Sequence, residues 1–354
     1  RSHVSWPSSS GAGSRLQLHE SPEPGGHRVP TGAGQVHQSK TPHMTIAAAW
    51  TRRINSCNEL VFVADSRLSG GARTFDYCAK ILTLPRSDCA IAFAGSTDNA
   101  YPMMHQLSLA IDSFGPLRDR VMDIRELKTH ALKIFDSMAS SITNESPHLG
   151  PPNDFAFLLG GYSWIAKRFF IWTIRYDVAV KGFVAVAAPT LASNGEAKKV
   201  FYARQQRLNE SNSNAMGHIA FAGDQGPEGS RRLVTMLSER FTATPSLFDS
   251  GALDLEPFEV VCQMLKDPNR AHSIGGAPQL VKVYEHLNTQ SFAVKWGEAG
   301  EQAFLQGRPL LNYENVDVWI MDPETLRSSR PAAPRGRKRI IAAEDKAEPV
   351  ATDD

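Results

Sequence analysis

Cysteine is scarce in this sequence, and its four copies are scattered. Cys57, Cys78, Cys89 and Cys262 form no C-x-x-C pair, so the spacings of common zinc sites are absent. The disulfide framework of small secreted domains is absent too. Scattered thiols of this kind favour a reducing compartment, and we expect a cytoplasmic protein. No stretch of the sequence implies a metal or another cofactor.

An excess of either charge is also missing. Lys and Arg number 38 against 37 Asp and Glu, which gives a formal net charge of +1. Without a basic field we expect no nucleic-acid partner. A transmembrane helix would need about 20 consecutive apolar residues, and no such run occurs, so we expect no membrane partner.

The common catalytic motifs are absent as well. The sequence contains no G-x-S-x-G elbow, no phosphate-binding P-loop, no H-E-x-x-H and no glycine-rich dinucleotide fingerprint between a strand and a helix. These absences remove the main support for a conventional serine hydrolase, a nucleotidase, a metalloprotease or a dinucleotide enzyme. Any catalytic chemistry must come from another constellation of residues.

The chain of 354 residues, 42% of them hydrophobic, divides into three parts. Residues 1–43 are rich in Gly, Pro, Ser and His and carry no hydrophobic period, so we expect a disordered arm or an upstream stretch before a true start at Met44. Residues 44–325 alternate strand-like and helix-like patterns and predict one folded domain, with a C-terminal extension from about residue 290. Residues 326–354 have few large apolar side chains, which predicts a disordered charged tail.

The order of these patterns indicates the fold class. Two strands within 45–68, joined by the polar turn TRRINSCN, and two within 79–96 come first, followed by two amphipathic helices, of which Asp98 would cap the first. Three strands follow, then a polar insertion at 192–215, a short strand, two helices and three final strands. Strands grouped around pairs of helices predict an α+β protein with antiparallel sheets covered by helices, because a parallel sheet would alternate strand and helix throughout.

One set of residues in the first part of this domain has the side chains that catalysis would need. A hairpin that begins at Thr45 is followed by Asp65 in ADSR, by Lys80 in CAKILTL, and by Gly95 in FAGSTD, which leads into a helix. This order resembles the proteasome β-subunit family of N-terminal-nucleophile hydrolases, and within it the bacterial HslV-type and Anbu-type homologues. The resemblance is most specific over residues 45–113 and extends to about 290. It implies an αββα four-layer sandwich of two antiparallel sheets flanked by helices.

The resemblance also implies a role for each residue of the constellation. Thr45 would be the nucleophile, Asp65 and Lys80 the charged pair beside it, and Gly95 the backbone donor of the oxyanion hole. Each role makes chemical sense, because a threonine hydroxyl needs a nearby base, and a free α-amine with an ordinary pKa of about 7.7 to 8.0 can serve. That amine exists only when Thr45 is the first residue. We therefore expect Met44 to be removed, as in the Met-Thr start of Anbu-type proteins.

Two segments depart from the family pattern. The family supports the nucleophile's amine with an Asp and a Ser before a Gly-Gly pair; here the Gly-Gly and Ser273 are present, while Asp267 is misplaced. The family also has a small-residue turn before its third helix, and here that turn is AGDQG, with Asp224 where a serine is often found. A structural turn and a catalytic role are equally open at Asp224. Ser273 is the expected supporting hydroxyl.

These features together predict a threonine-type amide hydrolase. We expect a peptidase that acts on peptide or protein substrates and self-associates in a ring or spiral of like subunits; the sequence names no unfoldase partner. Two alternatives remain open. One is a catalytically silent proteasome-like subunit that serves assembly only, and the other is a small-molecule amidase that uses the same nucleophile.

Overall fold

A computed structural model of the chain describes residues 45–54, 57–70, 73–142, 153–190, 217–243, 253–297 and 302–331. The arm predicted over 1–43, the polar insertion at 192–215 and the tail beyond residue 331 lie outside the described residues. Among those that are described, no helix is long and apolar enough to cross a membrane.

The secondary-structure elements alternate between groups of strands and groups of helices. The helices are α1 (Thr97–Ser113), α2 (Gly115–Arg118), α3 (Ile124–Ala139), α4 (Gly226–Ala243) and α5 (Glu256–Lys266). The strands are β1 (Ala47–Ile54), β2 (Cys57–Ala64), β3 (Leu68–Gly70), β4 (Arg73–Phe75), β5 (Ile81–Thr83), β6 (Cys89–Gly95), β7 (Phe155–Ser163), β8 (Arg168–Asp177), β9 (Gly182–Ala187), β10 (Ile219–Ala222), β11 (Gln279–Tyr284), β12 (Asn288–Trp296), β13 (Gln302–Leu305), β14 (Arg308–Pro309), β15 (Ile320–Asp322) and β16 (Arg327–Ser329).

Two large sheets organise the described part of the chain. The first runs in the order β10-β1-β2-β11-β12-β13-β14, with β15 beside β12 and β16 beside β15. The second runs in the order β5-β6-β7-β8-β9, while β3 and β4 form a separate hairpin. All of these strand pairs are antiparallel except β12 with β15. The predicted class, α+β with antiparallel sheets, is therefore confirmed.

Three hydrophobic clusters pack these elements. The first joins the first sheet to α4 and α5, and the second joins the second sheet to α1 and α3. The third contains residues of both sheets, such as Phe62 of β2 and Leu158 of β7. Successive side chains of a strand point to opposite faces. In β1, accordingly, Ala48 and Trp50 belong to the first cluster, whereas Ala47 and Ala49 belong to the third.

Local signals explain some element ends and mislead at others. Helix α3 begins after Asp123, which forms a reciprocal capping box with Glu126. The Asp123 carboxylate accepts the backbone N–H of Arg125, and the Glu126 carboxylate accepts the backbone N–H of Asp123. The prediction that Asp98 caps α1 is wrong, since the helix already begins at Thr97 and follows Ser96. The hairpin of β1 and β2 is also tighter than predicted, with strand pairing that reaches Ile54 and Cys57.

The segment predicted as a C-terminal extension adds strands to the first sheet. Strands β13 and β14 continue the sheet from the edge of β12. Strand β15 pairs in parallel with Ala293 and Val294 of β12, the same two residues that pair with β13 on their other edge. Met321 of β15 is 1% exposed and packs in the first cluster with Val294 of β12. This segment is part of the packed sheet rather than an appendage beside it.

Candidate active site

Thr45 lies directly before β1, where its side chain meets the end of β6. The backbone N–H of Gly95 donates to Thr45 Oγ1 at 2.8 Å, and Thr45 is 4% exposed. Gly95 has a φ of +114°, and a Cβ added there would lie 2.3 Å from the carbonyl oxygen of Asp154. Only glycine fits this position, because both the backbone conformation and the space exclude a side chain. Gly95 thus presents an unobstructed N–H donor to the Thr45 hydroxyl.

Asp65 and Lys80 form a buried ion pair next to Thr45. Lys80 Nζ donates to Asp65 Oδ1 at 2.6 Å, and both side chains are fully buried. The same oxygen accepts the backbone N–H of Ile46, the residue after Thr45, at 3.3 Å. Asp65 Oδ2 accepts the N–H groups of Arg67 and Gly275, each at 3.2 Å.

The charge state of Asp65 follows from these contacts. The pKa of Asp65 is raised from its ordinary value, because the effect of burial outweighs the opposing effects of the Lys80 ammonium and of the backbone donors from Ile46 and Gly275. All four hydrogen-bond partners of the carboxylate within the described residues are donors, so neither oxygen has an acceptor there to which a carboxylic acid proton could be given. The ionised carboxylate with a charged Lys80 is the pair that satisfies this network.

Gln279 of β11 holds the pair in place, a role that sequence reasoning missed. Its Oε1 accepts the backbone N–H of Lys80 at 2.9 Å, and its Nε2 donates to the carbonyl oxygens of Asp65 at 3.1 Å and Cys78 at 2.7 Å. The side chain is fully buried. An amide at the start of the largely buried strand QLVKVY was the available signal, since buried amides are usually held by hydrogen bonds.

The backbone nitrogen of Thr45 contacts Asp224. This nitrogen donates to Asp224 Oδ1 at 2.7 Å. Gly223 makes the approach possible, because its φ is +92° and an added Cβ would lie 2.0 Å from the Thr45 carbonyl oxygen. Sequence reasoning noted Asp224 as a departure from a serine and left a structural turn and a catalytic role equally open there. Its place between two glycines, in the turn that joins β10 to α4, was the signal.

The other segment that departs from the family pattern, which contains Asp267 and Ser273, makes no hydrogen bond to Thr45 within the described residues. Asp267 pairs with Arg232 Nη2 at 2.8 Å and accepts the N–H of Asn269 at 2.9 Å, so it has partners outside the site. Ser273 is 5% exposed, and its Oγ has no hydrogen-bond partner within the described residues. Ser273 is therefore placed near the site by Gly275, two residues on, and is not hydrogen-bonded to Thr45.

The structure thus connects four of the five predicted site residues. Thr45, Asp65, Lys80 and Gly95 belong to one chain of contacts, Ser273 lies outside it, and Asp224 and Gln279 join it. The arrangement offers a hydroxyl with an N–H donor beside it, a nitrogen held by a carboxylate, and a buried ammonium. No group of three or more His, Cys, Asp or Glu side chains suited to a metal ion occurs in the described part of the chain.

Comparison with protein-family models and with curated proteins identifies no relative of this chain. No protein-family model matches the sequence, and no curated protein matches it either.

Proposed function

We propose that this protein is a threonine-type N-terminal-nucleophile hydrolase that cleaves amide bonds, most plausibly in peptides. The observation that carries the proposal is the pair of contacts at one residue: Gly95 N–H on Thr45 Oγ1, and Asp224 on the Thr45 nitrogen. We further propose the αββα four-layer sandwich of that class. The three clusters support it, because one joins the two sheets and the other two join each sheet to its own helices.

The first half of the reaction would begin with Thr45 Oγ1. Once the residues before Thr45 are removed, its α-amine lies on the same residue as the hydroxyl and can take the hydroxyl proton as general base. Oγ1 then attacks the carbonyl carbon of the substrate. The carbonyl oxygen becomes an oxyanion, and the Gly95 N–H can donate to it. Collapse breaks the C–N bond, the protonated amine gives its proton to the leaving nitrogen, and an ester on Thr45 remains.

The second half would return the enzyme to its starting state. The α-amine takes a proton from water, the hydroxide adds to the ester carbonyl, and Thr45 Oγ1 leaves with that proton. The products are a carboxylic acid and free enzyme. The buried Lys80 ammonium favours the ionised hydroxyl in both halves, and Asp65 keeps that ammonium charged and oriented. No cofactor enters either half.

Asp224 gives this site a pH dependence of its own. A carboxylate 2.7 Å from the nitrogen favours the protonated amine. We therefore expect Asp224→Asn to move the acid limb of the kcat/KM profile to lower pH by about one unit. The reason is that Asn keeps an acceptor for the amine but removes the charge. The measurement is kcat/KM on a fluorogenic peptide across the neutral and alkaline range.

The control for this pH shift is Asp112→Asn, which removes an exposed carboxylate at the far end of α1. It should leave the profile unchanged. If the acid limb of Asp224→Asn coincides with that of the wild type, Asp224 does not act on the amine, and the contact is structural only.

Partners and alternatives follow from the same proposal. We propose peptide or protein substrates and a homo-oligomeric ring or spiral, in keeping with the resemblance of the sequence to the proteasome β-subunit family. A silent assembly subunit would keep the fold and contribute to assembly without hydrolysing amides. A small-molecule amidase would keep the amine and the nucleophile but reject peptides.

A peptide epoxyketone tests the proposal, because it forms a stable ring only with a residue that offers both a hydroxyl and a free α-amine. Protein expressed from Met44 should have a mass that begins at Thr45, and it should gain one inhibitor at that residue. Labelling should be accompanied by loss of peptide hydrolysis. If protein that begins at Thr45 is neither labelled nor active on peptides, the proposed peptidase is wrong. Hydrolysis of a small non-peptide amide by that protein would then support the amidase, and its absence would support the silent subunit.

A further inference from the structure

The turn between β13 and β14 reaches the neighbourhood of Asp65 from the C-terminal segment. The turn consists of Gln306 and Gly307, whose φ angles are +52° and +83°. Positive φ at both central residues is characteristic of a two-residue hairpin turn that favours glycine at the second place. Gln306 Nε2 donates to Ser291 Oγ of β12 at 3.0 Å, which holds the turn against the sheet.

Gly307 is buried and packs directly on Ser66, the residue after Asp65. A Cβ added at Gly307 would lie 2.4 Å from Ser66 Cβ, 3.0 Å from Ser66 Oγ and 3.4 Å from the Cys78 carbonyl oxygen. Carbon atoms that are not bonded to each other prefer a separation of about 3.5–4.0 Å. The contact therefore has no room for a methyl group, and any side chain at this position would displace Ser66 or the turn.

The backbone of Ser66 connects the segments that carry Asp65 and Lys80. Its N–H donates to the Gly275 carbonyl oxygen at 3.1 Å, and Gly275 in return donates its own N–H to Asp65 Oδ2 at 3.2 Å. The Ser66 carbonyl oxygen accepts the N–H of Cys78, two residues before Lys80, at 3.0 Å. A displacement of Ser66 is therefore transmitted to both partners of the ion pair.

The Ser66 side chain is held on its other sides as well. It is fully buried, and its Oγ lies 2.7 Å from the carbonyl oxygen of Asp76 and 2.8 Å from that of Ala277, so its one proton can serve either. Gly276 approaches the same oxygen so closely that an added Cβ would lie 2.2 Å from it. Ser66 cannot move away from Gly307 without disturbing these contacts.

We propose that Gly307 is a positioning residue of the hydrolytic site. By packing on Ser66 it fixes the place of the Asp65–Lys80 pair relative to Thr45. The inference rests on the proposed hydrolytic function and assigns no chemical step to the turn, which acts only through Ser66. It gives the segment beyond residue 290, where the resemblance to the proteasome β-subunit family ends, a part in catalysis.

Steady-state hydrolysis of a fluorogenic peptide by the Gly307→Ala variant tests the proposal. The new methyl group and Ser66 must separate by about 1 Å. The kcat should fall about a hundredfold, the cost of a misplacement of that size, while KM should stay near the wild-type value. Gly297→Ala is the matched control, because Gly297 also has a positive φ, +105°, but an added Cβ there meets no described atom within 4 Å. It should keep the wild-type kcat.

A Ser66→Gly background identifies the contact that is responsible. This change removes the two Ser66 atoms that the new methyl group would meet, so Gly307→Ala should lower kcat about tenfold less in this background than in the wild type. Equal fold losses in the two backgrounds would overturn the inference. So would a kcat of Gly307→Ala equal to that of Gly297→Ala, or a loss that appears in KM alone.

Hydrogen exchange followed by mass spectrometry separates the failure of this inference from that of the proposed function. Gly307→Ala should speed exchange of the N–H groups of Ile46 and Gly275, both of which donate to Asp65, whereas Gly297→Ala should not. If the wild type hydrolyses no amide, the proposed function fails, and unchanged exchange in Gly307→Ala would show separately that the turn does not position Asp65.

Melting curves verify the folding of each variant. If Gly307→Ala does not fold, Gln306→Ala takes its place, because it releases the turn from Ser291 without adding an atom. It should lower kcat and speed exchange in the same two segments, to a smaller extent. Wild-type kcat and wild-type exchange in Gln306→Ala would overturn the inference.

Discussion

Replacing Thr45 by alanine is expected to abolish amide hydrolysis, with a loss of about 10⁴-fold or more in kcat/KM. The methyl group left at this position cannot attack a carbonyl carbon, and neither Ser273 nor Ser66 is in hydrogen-bond contact with the Gly95 donor in the described structure. Hydrolysis of a fluorogenic peptide by protein expressed from Met44 measures the loss.

The same change should also affect stability, by a smaller amount. The Gly95 N–H donates to Thr45 Oγ1 in a buried position, and removal of the acceptor leaves that donor unsatisfied. A cost of about 1–3 kcal/mol in the free energy of unfolding follows. Thr45→Ser is the matched control, because it keeps the hydroxyl and should retain both activity and most of the stability. Full turnover by Thr45→Ala would contradict the assigned nucleophile.

The second large effect is expected at Lys80. Lys80→Met should destabilise the fold by about 3–5 kcal/mol, because it leaves the carboxylate of Asp65 buried without its counter-charge. Both side chains are 0% exposed, so solvent cannot replace the lost ammonium. Urea unfolding followed by circular dichroism gives the free energy. Peptide hydrolysis should be lost as well, because the ammonium no longer favours the ionised Thr45 hydroxyl.

A double variant separates the stability effect from catalysis. Asp65→Asn combined with Lys80→Met removes both charges and keeps one amide oxygen, which can accept the N–H of Gly275 in place of Oδ2, while the N–H of Ile46 loses its acceptor Oδ1. It should recover part of the stability and none of the activity. If the single Lys80→Met variant unfolds within about 1 kcal/mol of the wild type, the pair is not the buried charge system described above.

Sequence reasoning reached the parts of the site that lie close together along the chain. Thr45, Asp65, Lys80 and Gly95 lie in or beside the first six strands, and they were singled out because their order resembles that of the proteasome β-subunit family. The role of Asp224 was left open and Gln279 was missed because their partners are distant in sequence: Thr45 is 179 residues from Asp224, and Lys80 is 199 residues from Gln279. Only the pairing of β10 with β1 and of β11 with β2 brings them together, and no local pattern encodes that strand order.

Local patterns were also incomplete where several residues compete for one role. Asp98 has the chemistry of a helix cap, yet Thr97 already belongs to the helix. Ser273 has the chemistry of a supporting hydroxyl, yet the contact with the Thr45 nitrogen is made by Asp224. In both cases the residue type was suitable and the geometry of a neighbouring turn decided the outcome.

The order of strands in the first sheet also has a consequence for biosynthesis. The hairpin of β1 and β2, which carries Thr45 and Asp65, lies between β10 and β11. Asp65 therefore receives the Gly275 N–H from a segment that is translated 210 residues later. A nascent chain therefore holds the proposed nucleophile, Thr45, long before the segment that carries Gly275 and β11 is made. For the proposed hydrolase, full assembly of the site would wait until that late segment has paired with the hairpin.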